Sequence, residues 1–123
     1  MSSYAPEVVL NVKHVVVTID GSGNPVCTPD PVNVASNNVL VYATIDPSAT
    51  GYTFPDSNAI VINTQNSDFP YQSWTVKPTL AAVLDLGHNA GNYDYTVFVN
   101  SPTGQKLRVD PVIKNGNTGG GGG

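Results

Sequence analysis

Alternation between apolar and polar positions is the dominant pattern of this chain, and it predicts short β-strands. Four apolar residues at every second position mark the clearest example: Val39, Val41, Ala43 and Ile45, with Tyr42 on the other face. Successive side chains of a strand point to opposite faces, so this period of two predicts a strand with one buried face. Further strands are predicted in five later segments: 59–63, 71–77, 80–86, 93–100 and 107–113.

The first apolar run, residues 7–19, changes its apolar face part of the way along. Val12 lies on one face of an extended chain, whereas Val15 and Val17 lie on the other. A shift by an odd number of residues moves the buried side of a strand. The pattern therefore predicts a β-bulge, or a strand that crosses between two sheets, at Lys13-His14.

The segment 80–86 fits either a strand or two turns of helix. Apolar residues at every second position favour a strand, but Thr79 and Gly87 are residue types that cap helices. Ten prolines and twelve glycines interrupt the chain too often for long helices. We therefore interpret 80–86 as a strand of an all-β protein.

The segment 89–95 has the spacing of a tyrosine corner, in which a tyrosine hydroxyl bonds to the backbone a few residues upstream. Asn89, Gly91 and Tyr93 fit this spacing, and Tyr95 follows as a core residue. We predict an immunoglobulin-like Greek-key β-sandwich of seven to eight short antiparallel strands, with its tyrosine corner at Tyr93. One domain is expected over residues 1–115, followed by a flexible glycine-rich tail at 116–123.

The charge of the chain argues against several classes of partner. Five Lys and Arg residues against nine Asp and Glu residues give a net charge of −4, which cannot form the basic stripe of a nucleic-acid binder. No apolar run approaches the ~20 residues that span a bilayer. The start of the chain lacks the basic cluster and apolar run of a secretory signal, which predicts a cytoplasmic protein; secretion after removal of a leader is the alternative.

Two stretches of the sequence carry a family resemblance. One is the segment 46–54, Asp-Pro-Ser-Ala-Thr-Gly-Tyr-Thr-Phe, and the other is the ending with Gly104 and the segment 109–115, Val-Asp-Pro-Val-Ile-Lys-Asn. Together they resemble the DP-EP family of small bacterial proteins, named for Asp-Pro and Glu-Pro dipeptides, although this chain has no Glu-Pro near its end. The resemblance implies a compact β-sandwich in a cytoplasmic bacterial protein and no assigned activity. A more distant likeness to inclusion-body proteins of the PixA/AidA type would favour self-assembly.

Candidate residues for catalysis are few and scattered, so we predict that the chain is not an enzyme and binds no cofactor. Cys27 is the only cysteine, and a copper site would need it clustered with His14 and His88, which are distant in the sequence. A buried structural thiol is the better interpretation. The loop 20–24 is a weak calcium candidate, because Asp20, Ser22 and Asn24 alternate oxygen ligands; a plain turn is the alternative.

The leading functional hypothesis is a non-catalytic structural protein that assembles with copies of itself through its edge strands and surface. The first strand is the element most suited to exchange or addition between copies. The alternative is a module that binds a carbohydrate or peptide through loop aromatics. Those candidate residues are Tyr52, Phe54, Phe69, Tyr71 and Trp74. The other interpretation of these residues is that they close the end of the core.

Overall fold

The computed structural model describes residues 11–64 and 66–116, and this part of the chain consists of ten β-strands joined by turns and loops. In chain order the strands are β1 (Asn11–Ile19), β2 (Pro25–Thr28), β3 (Val32–Val34), β4 (Val39–Ile45), β5 (Ile60–Ile62), β6 (Trp74–Lys77), β7 (Leu80–Asp85), β8 (Gly91–Asn100), β9 (Lys106–Val109) and β10 (Val112–Asn115). The described residues hold no helix long and apolar enough to cross a membrane. The glycine-rich tail predicted for 116–123 lies outside them, except Gly116, whose N–H donates to the Val34 carbonyl at 3.0 Å.

The strands form two open sheets of mixed direction. Sheet I has the order β2-β1-β4-β7-β6, and sheet II has the order β3-β10-β8-β5, with β9 also paired to β8. The prediction of seven to eight strands, all antiparallel, is wrong: β1 runs parallel to β4, and β3 runs parallel to β10. The parallel pairs arise because the turn at 20–24 folds β2 back onto β1, after which the proline-spaced chain moves to sheet II. The three-residue β3 is too short to give a periodic signal.

The inner faces of the two sheets share one apolar core. In β4 every odd-numbered residue from Val39 to Ile45 is buried, which confirms the predicted alternation. Eight of the ten strands contribute to the buried cluster, and half of its residues are valine. They include Val15 and Val17 of β1, Cys27 of β2, Val32 and Val34 of β3, Ala81 and Val83 of β7, Tyr95, Val97 and Val99 of β8, and Ile113 of β10. β-Branched side chains suit such a layer, because their restricted rotamers pack well on a pleated surface.

The predicted change of face at Lys13-His14 is wrong for the described part of β1. The pairing of β1 with β4 runs without a break from Asn11 to Val17. Val12 therefore stays on the outer side of the sheet, where it is 43 % exposed. The apolar residues before Asn11 that suggested the shift lie outside the described residues.

The segment 80–86 is a strand, as predicted, and the smaller of its apolar side chains are the ones buried in the core. Ala81 and Val83 point into the core, whereas Leu80 and Leu84 point outward. The predicted last strand is also divided into β9 and β10. Pro111 accounts for the division, because it has no N–H to continue the ladder; its carbonyl accepts a hydrogen bond from the Tyr95 N–H at 3.0 Å.

The loop before β8 is held by the hydroxyl of Tyr93. This hydroxyl donates to the carbonyl of Asn89 at 3.1 Å, four residues upstream. The Tyr93 ring meets the Phe69 ring edge-on, with 5.6 Å between centroids. By contrast, the buried hydroxyl of Tyr95, two residues later, has no hydrogen-bond partner within the described residues.

The two tyrosines should respond with opposite signs to removal of their hydroxyls. Tyr93→Phe loses the bond to Asn89, so we expect the free energy of unfolding to fall by about 1 kcal/mol. Tyr95→Phe removes a buried polar atom without a partner, so we expect a gain of about 1 kcal/mol. Urea unfolding of both variants measures these changes, and a loss of stability in both would contradict the hydrogen bonding described here.

Candidate functional site

The residues considered for nucleophilic or copper chemistry lie on different sides of sheet I. Cys27 pairs with Val17 and is buried in the core, and this burial raises the pKa of its thiol to about 12. Such a thiol stays protonated and is a poor nucleophile. His14 stacks on Tyr42 outside the core, and His88 lies in the loop after β7. Within residues 11–64 and 66–116, no three His, Cys, Asp or Glu side chains group as metal ligands.

The candidate calcium loop has the hydrogen bonding of a turn. One carboxylate oxygen of Asp20, Oδ1, accepts hydrogen bonds from the backbone N–H groups of Ser22 and Asn24, each at 2.9 Å. Gly23 takes a positive φ of 84° at the tight end of the loop. This carboxylate bonding to the backbone is typical of turns that begin with Asp, which favours the alternative of a plain turn between β1 and β2.

The five candidate aromatic residues do not form one binding surface. Phe54 is 3 % exposed and belongs to the core, and Tyr52 and Phe69 pack against it half-buried. These three residues extend the core, as the alternative interpretation holds. Tyr71 and Trp74 are exposed by 66 % and 41 %, but Tyr71 lines a groove beside β5 whereas Trp74 stands on sheet I. The five residues lie close together in the sequence, but three are buried or half-buried and the other two are exposed at different places.

Two buried carboxylates share the amide of Asn115. Its nitrogen Nδ2 lies 3.2 Å from Oδ2 of Asp68 and 2.9 Å from Oδ1 of Asp85. Asp68 also accepts the backbone N–H groups of His88 and Asn89, at 3.1 and 2.8 Å. Burial raises the pKa of Asp85 to about 6, and the neighbouring Asp68 carboxylate adds to the rise. Sequence analysis missed this cluster, because it placed the aspartates at turns and strand ends.

Sheet I also has an outer face, defined here as its side chains that point away from sheet II. Cross-strand pairing assigns to it Val12, His14, Val16 and Thr18 of β1, Val26 and Thr28 of β2, Leu40, Tyr42 and Thr44 of β4, Trp74 and Lys77 of β6, and Leu80, Ala82 and Leu84 of β7. No carboxylate is among these residues, and Lys77 at the edge is their one cation. The outer face is therefore largely uncharged.

One row of the outer face crosses four strands in register. His14 pairs with Tyr42, Tyr42 with Ala82, and Ala82 with Trp74. The rings of His14 and Tyr42 are stacked, with 5.6 Å between centroids and 27° between planes. Ala82 is fully buried between its larger neighbours, although it points away from the core. The row therefore consists of three rings and one small residue that has no exposed surface of its own.

Most of the exposed large apolar residues of the described chain lie on this face. Of the six large apolar residues that are exposed, four belong to it: Val12, Val16, Val26 and Trp74. A fifth, Val76, lies at its edge, at the bulge in β6. Single exposed apolar residues are ordinary, but a contiguous apolar patch marks an interaction surface. The outer face is therefore the strongest candidate site.

Comparisons with known proteins give no information about the function of this chain. No protein-family model matches the chain, and no curated protein matches it significantly. The outer face and the groove beside β5 are therefore the features of the structure that indicate a function.

The buried carboxylate of Asp85 should make stability depend on pH. Because its pKa is raised above 3.8 to about 6, its stabilising contribution is complete below pH 3.8 and is lost as pH rises through 6. Asp85→Asn keeps the Oδ1 acceptor but cannot ionise. We expect this variant to exceed the wild type in unfolding free energy by about 1–3 kcal/mol at pH 7.5, and by little at pH 4.

Urea unfolding at pH 4 and pH 7.5 measures the difference between the two proteins. Asp56→Asn is the matched control, since Asp56 is exposed and the same charge is removed. A pH dependence of the wild type that persists unchanged in Asp85→Asn would show that this carboxylate is not the cause.

Proposed function

We propose that this chain is a non-catalytic structural protein that assembles with copies of itself through the outer face of sheet I. We further propose that its two sheets form an immunoglobulin-like Greek-key sandwich with a tyrosine corner at Tyr93. The Tyr93–Asn89 hydrogen bond and the core shared by both sheets support this fold. The apolar, carboxylate-free outer face is the observation that carries the proposed function.

The size of the outer face is close to that of a small specific contact. Its five strands have six residues each on average, so at about 4.8 Å between strands and about 3.3 Å per residue they cover roughly 475 Å². Two such faces together bury roughly 950 Å², which is close to the ~1,000 Å² expected of a specific interface. A second copy is the favoured occupant, because two faces without carboxylates meet without bringing like charges together in a protein of net charge −4.

The edge strands are less suited to association than the face. The edge strands at the ends of the two sheets, β2, β6, β3 and β5, have only three or four residues each. Pro25 opens β2, and a register shift between Thr75 and Lys77 interrupts β6. Short strands, prolines and bulges are features that prevent pairing between sheet edges. Association through the edges or by exchange of the first strand stays a prediction, but we favour face-to-face packing.

The sequence resemblances agree with this proposal. A likeness to DP-EP proteins implies a compact β-sandwich without assigned activity, and the more distant likeness to PixA/AidA-type inclusion-body proteins favours self-assembly. We propose, in line with these resemblances, a bacterial cytoplasmic protein that acts without a cofactor.

A charge placed at the centre of the outer face should separate the copies. Val16 is 38 % exposed, so Val16→Asp is compatible with folding, but in the complex it buries an unpaired carboxylate. We expect the wild type to associate with rising concentration, and the dissociation constant of Val16→Asp to be at least tenfold higher. Sedimentation velocity between about 5 and 500 µM measures both, alongside fluorescence of Trp74, which should shift to the blue on association.

The control adds the same charge to the outside of sheet II. Asn92→Asp, at an exposed position of β8, should associate like the wild type. Trp74→Gln gives a second test that adds no charge, and it should also weaken association. A wild type that is monomeric at every concentration would overturn the proposal, as would equal effects of Val16→Asp and Asn92→Asp.

A further inference from the structure

A groove beside the edge strand β5 is separate from the outer face and has a different chemistry. It encloses about 410 Å³, which falls in the size range of small-molecule sites. Four carboxamides contribute to its wall: Asn58, Asn63, Asn66 and Gln72. The aromatic rings of Phe69 and Tyr71 contribute as well, and none of the lining residues is acidic or basic. The groove is therefore suited to a neutral ligand with many hydroxyl or amide groups.

One of these carboxamides is held in place by the protein. The oxygen Oδ1 of Asn66 accepts the N–H of Asp68 at 2.8 Å, and Asp68 is itself fixed in the buried cluster. Asn63 is not held in this way, because the Thr96 hydroxyl, 3.1 Å from its Oδ1, lies closer to the Asp110 carboxylate, at 2.7 Å, and has a single proton to donate. Side chains that are ordered before binding lose less entropy when a ligand arrives. The groove thus presents a carboxamide that is already oriented.

The two aromatic residues have different roles in the groove. Phe69 is half-buried against the core and against Tyr93, so it forms a fixed apolar wall. Tyr71 is 66 % exposed, which leaves the face of its ring open to a ligand. An exposed ring beside carboxamides matches a sugar, which has an apolar C–H face and hydroxyl groups around its edge.

A peptide strand is a weaker fit to the same groove. The Ala59 carbonyl and the Asn63 N–H bond to β8, so the backbone groups of Ile60 and Ile62 point the other way. The N–H of Ile60 already donates to the hydroxyl of Ser73 at 3.2 Å. β5 has only three residues, so an added strand would find a short and partly occupied edge.

We propose that this groove binds a neutral oligosaccharide, with Tyr71 stacking on a sugar ring and Asn63 and Asn66 bonding to its hydroxyl groups. The site does not depend on self-association, because none of its lining residues belongs to the outer face. It therefore adds a binding activity to a protein whose proposed role is structural.

Binding is tested by two-dimensional ¹H–¹⁵N NMR titration of the full chain with cellohexaose, maltohexaose and N-acetylchitotetraose, each up to 10 mM. We expect at least one of these sugars to shift the amide signals of β5 and the segment 66–73. Tyr71→Ala and Asn66→Ala should each raise the dissociation constant at least tenfold. Val16→Asp, on the outer face, should leave the sugar affinity within twofold and so separate this site from the association surface.

The outcomes that overturn the proposal are distinct. If none of the three sugars shifts the groove signals at 10 mM, or if Tyr71→Ala binds as tightly as the wild type, the groove is not a neutral-oligosaccharide site. A valine-rich hexapeptide is titrated in parallel. Shifts along β5 with this peptide, and none with the sugars, would assign the groove to strand addition instead.

Discussion

Sheet II can cover only one face of sheet I, and the rest of the molecule depends on this constraint. The covered face is filled by small and β-branched residues, such as Ala81, Val15 and Val83, which let the two sheets approach closely. Among residues 11–64 and 66–116 no layer covers the other face, which carries Trp74 and exposed valines rather than the charged residues found on most outer faces. The architecture therefore leaves apolar surface unpartnered on one side of a core that is already complete.

The strands could be predicted from the sequence, but their faces and neighbours could only partly be predicted. β4 was predictable because apolar residues occupy every second position from Val39 to Ile45. β7 is apolar on both faces, so periodicity identified a strand without showing that Ala81 points inward and Leu84 outward. The space between the sheets takes the smaller side chain. The parallel pairing of β1 with β4 depends on contacts distant in sequence, which no local pattern reports.

The polar cluster and the outer face also depend on contacts distant in sequence, so no local pattern predicts them. Asn115 is 30 residues from Asp85 and 47 from Asp68 in the sequence, and only the order of the sheets brings them together. Burial of these side chains lowers the free energy of unfolding at a pH where Asp85 is ionised. Their hydrogen bonds, however, connect β7 and β10 with the loop to which the Tyr93 hydroxyl bonds. A cluster of this kind specifies one arrangement of strands, since a slipped register would leave both carboxylates without the Asn115 amide. The row from His14 to Trp74 is assembled by the same pairing.

If the outer face is the contact surface proposed above, it favours a closed pair of molecules over an extended polymer. Tyr42 and Trp74 lie on either side of the small Ala82, which has no exposed surface of its own. In a two-fold contact each copy presents the same surface, so the aromatic rings of the two copies would pack against each other and each contact would form twice. Such a contact would use the apolar face of both partners and leave none to recruit a third. Pairing through an edge strand would instead leave a new edge at each end, so it would continue. The proposed face-to-face packing, together with the short, interrupted edges, would therefore limit assembly to a defined number of copies.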